Sequence, residues 1–295
     1  ALGTQSELNV STGASLNLDG NTTLGEIGGT GAIQIAAGNS LNVEGGVFDG
    51  NISGTGTLNK LGTGTLALSS SNSHTGNTNV QAGGLKVDGS LASSAVNVAS
   101  GATLSGAGNL GGAVTVASGG SLAAASGATL NASNLALDAG SNFNAALGTP
   151  TGGNSPLVNV ANNLTLGGTL NVTDIGGFGA GVYRLFAYGG SLINNGLAFG
   201  TTPVPVTDLT VQTAVANQVN LVVGGASNVL FWDGTNTVAN GVIDGGSGVW
   251  DATNSNWTDA NGVLNSTWND TFAVFQGTAG TVTVNGSHST TGLQF

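Results

Sequence analysis

Few residues in this chain could carry out catalysis. Its 295 residues include 2 His, 3 Lys plus Arg and no Cys, against 14 Asp plus Glu. Both histidines, His74 and His288, lie in runs of small polar residues, and no serine is framed as Gly-x-Ser-x-Gly. Because a serine or cysteine nucleophile needs a base beside it, the sequence predicts no catalytic residue and a chain that is not an enzyme.

Paired carboxylates are the remaining route to an active site. Five aspartates lie close together in the sequence: Asp233, Asp244, Asp251, Asp259 and Asp270. Glycosidases use two acids within roughly 5 to 10 Å, so a polysaccharide lyase or glycosidase is the alternative function. Most of these aspartates adjoin Gly, Asn, Thr or Trp, where Asp caps a turn of its own backbone. A lyase also needs a basic partner, and the chain offers only Lys60, Lys86 and Arg184, so we prefer the turn interpretation.

No pattern for a cofactor or a metal ion stands out. The absence of Cys removes a disulfide framework and a cysteine zinc site. Gly245-Gly246-Ser247-Gly248 approaches the calcium-binding nonapeptide of β-rolls, but Val249 and Trp250 follow where that pattern requires Asp. We therefore expect no cofactor and no metal.

Tryptophans are the candidates for ligand contact. Trp250, Trp257 and Trp268 each adjoin an Asp or an Asn. Flat aromatic rings beside such polar groups suit glycans, which makes these three residues the candidate ligand contacts. The alternative, which we prefer, is that the rings fill a cap or a wider core.

The elements that position these residues are predicted to be short strands. Gly54-Thr55-Gly56-Thr57-Leu58 recurs eight residues later as Gly62-Thr63-Gly64-Thr65-Leu66, and each copy joins a glycine turn to a strand of alternating aliphatic residues. Such a strand buries few side chains, so copies must stack to form a core. With 53 Gly, 39% hydrophobic and 6% charged residues, the composition suits a stacked solenoid.

The frame of strand, corner, glycine and strand returns along the chain. The corner glycines at 83, 101 and 119 are 18 residues apart, and Gly140 follows after 21 more. Short strands with this period, joined in the same sense, predict an all-β chain folded as a right-handed parallel β-helix. In that fold Leu66, Leu85, Leu104 and Leu122 are expected to point inward.

Residues 52–87 resemble the passenger-associated transport repeat of bacterial autotransporters, the surface proteins of type V secretion. The matching positions are Leu58, Lys60, Gly62, Gly64, Thr65, Leu66, Leu68, Ser69, Asn72, Thr75, Gly76, Thr78, Val80, Gly83, Leu85 and Val87. His74 and Asn77 depart from the family, which usually has Tyr and Gly there. The resemblance implies that Lys60, Gly62, Gly64, Leu66, Gly76 and Gly83 define the repeat as structural residues.

We expect three parts in the chain. Residues 1–147 should form regular β-helix rungs, where a rung is one turn of the solenoid, and they include the transport repeat. Residues 148–227 hold all four prolines and should form less regular rungs, with a loop around 198–208. The Trp-rich residues 228–295, also similar to autotransporter passengers, should open a further solenoid unit that continues beyond this chain.

The resemblance implies a non-catalytic passenger that acts as an adhesin, a biofilm component or a filament stalk, exposed on the outer membrane or extracellular. The alternative is the β-helix lyase or glycosidase, and a third class is a secretion and folding element at 52–87. Expected partners are glycans, a host or neighbouring-cell surface, or further copies of the chain along the rod. A net charge of −11 argues against nucleic acid. Membrane contact is expected only through a C-terminal barrel domain outside this chain.

Overall fold

The computed structural model describes residues 7–92, 95–150, 155–225 and 228–295, which form short strands, turns and one 3-10 turn, η1 (Val206–Asp208). The first strands in chain order are β1 (Glu7–Val10), β2 (Ser15–Leu18), β3 (Thr22–Gly29), β4 (Ala32–Ile35), β5 (Ser40–Phe48), β6 (Asn51–Gly54), β7 (Thr57–Lys60), β8 (Thr65–Leu68), β9 (Ser71–Asn72), β10 (Thr78–Val80), β11 (Gly83–Val87), β12 (Ser90–Leu91), β13 (Val96–Val98), β14 (Ala102–Ser105), β15 (Asn109–Val116), β16 (Ser121–Ala125), β17 (Leu130–Leu137) and β18 (Asn142–Leu147). They are followed by β19 (Val158–Val160), β20 (Leu164–Leu166), β21 (Thr169–Asp174), β22 (Gly181–Tyr188), β23 (Leu192–Asn194), β24 (Ala198–Phe199), β25 (Leu209–Gln212), β26 (Gln218–Val223), β27 (Val229–Trp232), β28 (Gly248–Trp250), β29 (Trp257–Thr258), β30 (Asn265–Ser266), β31 (Phe272–Val274), β32 (Val282–Val284) and β33 (Gly292–Gln294). None of the helical structure in these ranges has the length and apolarity that a membrane-crossing helix needs.

Strands from successive rungs pair in parallel and form three stacks. The first stack runs β1, β3, β5, β8, β11, β14, β16, β18. The second contains β2, β4, β6 and then β9, β12, β15, β17, β19. The third runs β3, β5, β7, β10, β13, β15, β17, β20, β23. The long strands β3, β5, β15 and β17 each serve two stacks, and the predicted parallel β-helix is confirmed.

The core of the stacks is built from columns of aliphatic side chains. Leu85 pairs with Leu66 in the preceding rung and with Leu104 in the next, and Leu104 pairs with Leu122. All four leucines are 0% exposed, which confirms that they point inward. Burying a leucine side chain contributes about 1.5 to 3 kcal/mol, so each column stabilises the stacking that creates it.

Several later strands run antiparallel, which the repeat frame does not predict. β26 pairs antiparallel with both β22 and β25, and β29 pairs antiparallel with β27 and β30. Parallel pairing needs a crossover of about a dozen residues or more. β25 ends at Gln212 and β26 begins at Gln218, so this short link, which contains Asn217 at a φ of 62°, turns the chain back on itself.

The expected loop around 198–208 is nearly free of strand structure. β24 ends at Phe199 and β25 begins at Leu209, with only η1 between them. Pro203 and Pro205 lie in this stretch. Because proline has no N–H to donate to a strand ladder, the sequence here favours turns.

The contacts divide the chain into two compact units. The first, which we call the rung unit, runs to Ala146 and adds Leu157–Val172 and Tyr188–Thr201. The second, which we call the aromatic unit, comprises Leu147–Pro156, Thr173–Ala187 and Thr202–Phe295. The three-part division at 147 and 227 stays a prediction.

Candidate functional site

Lys60 in the transport repeat is buried and fully hydrogen-bonded. It pairs with Val43 and Val80 of the neighbouring rungs and is 0% exposed. Its Nζ donates to the carbonyls of Gly62 and Ala82, both at 3.1 Å, and to that of Leu61. Burial lowers the pKa of Lys60, and Glu44 acts in the opposite direction. Because an ammonium has three donors, Lys60 ties two successive corners together and keeps no donor for a ligand.

His74 is also part of the interior of the repeat. Its Nε2 lies 2.8 Å from the hydroxyl of Thr78, and both residues are 0% exposed. Nδ1 is buried without a hydrogen-bond partner among the described residues. Burial lowers the pKa of His74 to about 4, so the ring is neutral at neutral pH. A neutral ring sealed from solvent is suited to packing.

Two glycines of the repeat lie where a side chain has no room. A Cβ at Gly76 would fall 2.0 Å from the carbonyl oxygen of Gly56 in the preceding rung. A Cβ at Gly83 would fall 2.3 Å from the oxygen of Gly64, and Gly83 has a φ of 62° in the left-handed region. The corners therefore stack closely only if these positions lack side chains. Gly62, Gly64 and the buried Leu66 lie in the rung that precedes Gly83.

The structure brings the three predicted tryptophans together in one cluster. Ring centroids are 4.5 Å apart for Trp257 and Trp268, and 5.0 Å apart for Trp250 with each of them. Trp232 and Phe275 pack against Trp257 at 5.3 and 5.4 Å.

This cluster is buried. Trp250 is 6% exposed, Trp257 0% and Trp268 9%. The indole N–H of Trp268 donates to the carbonyl of Ser289 at 2.9 Å. This packing is that of a core, the alternative that the sequence favoured, and ligand contact by these three residues stays a prediction.

His288 extends the aromatic cluster toward the surface, and sequence reasoning missed it. Its ring stacks on Trp250 with centroids 5.1 Å apart and an interplanar angle of 12°. Its Nε2 lies 3.0 Å from the carbonyl oxygen of Asn285. No sequence signal links His288 to Trp250, because Trp250 ends β28 and His288 lies far along the chain in the loop between β32 and β33.

Most carboxylates near the tryptophans accept hydrogen bonds from the backbone of their own turns. Asp251 accepts hydrogen bonds from the backbone N–H groups of Asn254 and Thr253, at 2.7 and 2.8 Å, and these bonds lower its pKa. Asp259 accepts from the N–H groups of Val263 and Leu264 at 2.8 and 3.1 Å. This is the turn-capping arrangement that the sequence predicted for these aspartates.

Asp233 and Asp244 belong to a network of amides. Asp233 is 1% exposed, and burial raises its pKa. It accepts from the N–H of Asp244 at 2.9 Å and from the side-chain amide of Asn265 at 3.0 Å. Asp244 in turn accepts from the amides of Asn236 and Asn240. In the described ranges, no three His, Cys, Asp or Glu side chains lie where they could share a metal ion.

A ladder of asparagine amides runs along the outside of the third stack. Asn59 donates to Asn42 at 2.8 Å, Asn79 to Asn59 at 2.9 Å and Asn97 to Asn79 at 3.0 Å. Asn42 donates to the hydroxyl of Thr23 at 3.2 Å. Each side chain is partly or fully exposed and uncharged. The recurrence of Asn inside four strands that follow one another in the stack was the sequence signal that could have predicted this ladder.

Comparison with known proteins shows the family to which this chain belongs. Residues 58–87 match the family model described as passenger-associated-transport-repeat. The chain is also 41% identical over 267 residues to the "Adhesin BmaC autotransporter" of Brucella suis biovar 1 (strain 1330). The chain is autotransporter passenger sequence. The resemblance predicted from residues 52–87 is thereby confirmed.

The chain spans only a small part of the length of this relative. The alignment covers 79% of this chain and 8% of the Brucella relative. The matched repeat corresponds to β7 through β11, so it contains Lys60, His74, Gly62, Gly64, Gly76 and Gly83. In this passenger the repeat is therefore one part of a continuous stack of parallel strands.

Proposed function

We propose that the chain is a non-catalytic segment of a bacterial surface adhesin, exposed on the outer membrane or released outside the cell. The observation that carries this proposal is the 41% identity, over 79% of the chain, to a protein named as an adhesin autotransporter. The stacked strands extend the rung unit rung by rung, and their outer faces are available for contact with a partner. Its partners are glycans or other uncharged groups on a host or neighbouring-cell surface.

The chemistry of the side chains supports binding without turnover. General acid and base catalysis needs titratable groups held near a substrate with tuned pKa values. In the described residues, the imidazole of His74 is sealed inside the stack and the ammonium of Lys60 is bonded to three carbonyls. Asp251 and Asp259 cap their own turns. The asparagine ladder, in contrast, offers a partly exposed row of amides to a partner.

An adhesion assay with a turnover control tests this proposal. Beads coated with the 295-residue chain should bind cell surfaces in a saturable manner, and the soluble chain should compete. The same preparation should release no reducing ends, unsaturated sugars or new peptide termini from a panel of polysaccharides and peptides. Turnover that survives purification and disappears in Asp251→Asn would overturn the non-catalytic assignment. Beads that bind no better than beads coated with an unrelated acidic protein would overturn the adhesin assignment.

A further inference from the structure

The aromatic unit contains a cleft that the functions discussed above do not use. Its volume is about 440 Å³, within the roughly 300 to 1,000 Å³ of small-molecule sites. Its apolar lining includes Ala180 and Phe272, and its polar lining includes Asn228, Asn269, Asp270 and Thr291. The cleft therefore combines an aromatic surface with amide, hydroxyl and carboxylate groups.

Asp270 differs from the aspartates that precede it in the sequence. Asp251 and Asp259 each accept two backbone hydrogen bonds of 3.1 Å or shorter from their own turns. Asp270 accepts one bond, of 3.3 Å, from the N–H of Ser289, and its other carboxylate oxygen bonds to none of the described residues. The cleft thus holds a carboxylate that can accept further hydrogen bonds from a ligand.

The backbone of Asp270 is also unusual. Its φ is 60°, in the left-handed region, which costs a non-glycine residue on the order of 1 kcal/mol. This conformation is held by its neighbours, because Thr271 and Phe272 both bond to the carbonyl of Asn228, at 2.5 and 3.2 Å. The same bonds fix Asn228 beside Asp270, so the two sides of the cleft are tied together.

The amides of the cleft are free to bind. Within the described ranges, the side chains of Asn228 and Asn269 make no hydrogen bond to the protein, and both residues are exposed. An amide both donates and accepts hydrogen bonds, and an ionised carboxylate only accepts them. A ligand that matches this set carries several hydroxyl groups and one apolar face.

The composition of the lining selects among ligand classes. None of the lining residues is basic and the chain carries a net charge of −11, which disfavours anions. A calcium ion takes six to eight oxygen ligands, whereas this lining offers one carboxylate and a partly apolar wall. A neutral sugar ring fits both the polar and the apolar parts of the lining. Its hydroxyl groups can bond to Asp270 and the amides, and its C–H face can pack against Phe272.

We propose that this cleft binds a neutral hexose unit of a surface glycan, with Asp270 accepting hydrogen bonds from its hydroxyl groups. The proposal rests on the adhesin function proposed above and assigns it a specific site. Asn228 and Asn269 complete the polar contacts, and Phe272 supports the ring.

Binding of defined sugars to matched variants tests the proposal. The whole chain is titrated by calorimetry with glucose, galactose and mannose hexasaccharides, after a neutral glycan array has ranked them. Asp270→Asn keeps the side-chain shape and suits the left-handed backbone, yet removes the charge. It should weaken binding roughly 10- to 100-fold, the usual effect of losing charge-assisted hydrogen bonds. Asp251→Asn is the matched control, since its carboxylate serves its own turn, and it should bind as the parent does.

The outcomes separate this site from the wider adhesin function. Sugar binding lost in Asp270→Asn, with the melting temperature preserved, supports the site. Equal binding by Asp270→Asn and the parent places the sugar elsewhere and overturns it. Adhesion of coated beads without binding of any neutral hexasaccharide leaves the adhesin function standing and overturns the site. Calcium binding that depends on Asp270, with no sugar binding, would make the cleft a cation site and overturn the proposal as well.

Discussion

The rung unit and the aromatic unit satisfy their polar groups in different ways. In the rung unit a side chain bonds to its counterpart in the next rung, as Asn79 does with Asn59, 20 residues away. In the aromatic unit Asp251 and Asp259 bond within five residues of their own turns, and longer bonds, such as that of Asn265 to Asp233, join unlike residues that do not repeat. The cores also differ, since columns of equivalent leucines run through one, whereas the other contains a cluster of unlike aromatic rings beside a second, mainly aliphatic cluster.

This difference predicts which parts of the chain tolerate substitution. A column of equivalent residues transmits a defect to the rungs on either side, because each residue packs on its counterparts. A self-contained turn confines a defect to one loop. We therefore expect the aromatic unit to vary in its loops, where Asp270 and the other proposed binding groups lie, while the rung unit keeps its frame.

The largest effect is expected for Leu104→Asp in the rung unit. The substitution places an unpaired charge in the leucine column, where the parent side chain is 0% exposed. We expect a loss of about 5 kcal/mol or more in the free energy of unfolding. Hydrogen exchange should show faster opening of the rungs around β11, β14 and β16.

A neighbouring residue provides the control for Leu104→Asp. Thr103 is the adjacent residue in β14 and points to the other face of the strand. Thr103→Asp should cost no more than about 1 kcal/mol. If the two variants exchange equally fast, the column does not hold the rungs, and the contrast between the units is lost.

Trp257→Ala should give the next largest effect. Trp257 is fully buried and contacts Trp232, Trp250, Trp268 and Phe275. Truncating a buried tryptophan costs about 3 to 5 kcal/mol, and we expect exchange to increase in β27 through β33. Leu293→Ala, at a position that is 50% exposed, should change stability by less than about 1 kcal/mol. Increased exchange confined to β1 through β18 would contradict a separate aromatic core.

The same contrast explains what the sequence could predict. The stacks were predictable because Leu66, Leu85 and Leu104 recur at 19-residue intervals, each two or three residues after a corner glycine. The aromatic core was not, since Trp250 at the end of β28 meets His288 of a later loop with no repeating pattern that relates them. Nor does the sequence around Asp270 set it apart from Asp251. Its left-handed backbone and its neighbours Ala180 and Asn228, which come from distant parts of the chain, create the cleft.

Lowering the pH should test the rung unit through His74. Burial lowers the pKa of His74 from 6.5 to about 4, so the folded state favours the neutral ring. This contribution to stability is complete above about pH 6.5 and is lost as the pH falls toward 4, by up to about 3 kcal/mol. The measurement is the free energy of unfolding by denaturant at several pH values.

His74→Tyr isolates this contribution. The variant has no imidazole at this position, so its stability should fall less steeply than that of the parent between pH 6.5 and 4. Parallel curves for the parent and His74→Tyr would mean that His74 is not sealed inside the rung.

The smallest expected effects test the contrast most directly, through pairs of substitutions. Asn59→Ala and Asn79→Ala should each cost about 0.5 to 1.5 kcal/mol, the usual net value of a hydrogen bond. Because the two amides bond to each other at 2.9 Å, the double variant should lose less than the sum, with a coupling energy of roughly 0.5 to 1 kcal/mol. Asn79→Ala combined with Asp259→Ala joins one residue of each unit that share no partner, and these costs should add. Additive costs for Asn59 and Asn79 would mean that the ladder is a row of independent amides, and bonding between rungs would no longer distinguish the rung unit.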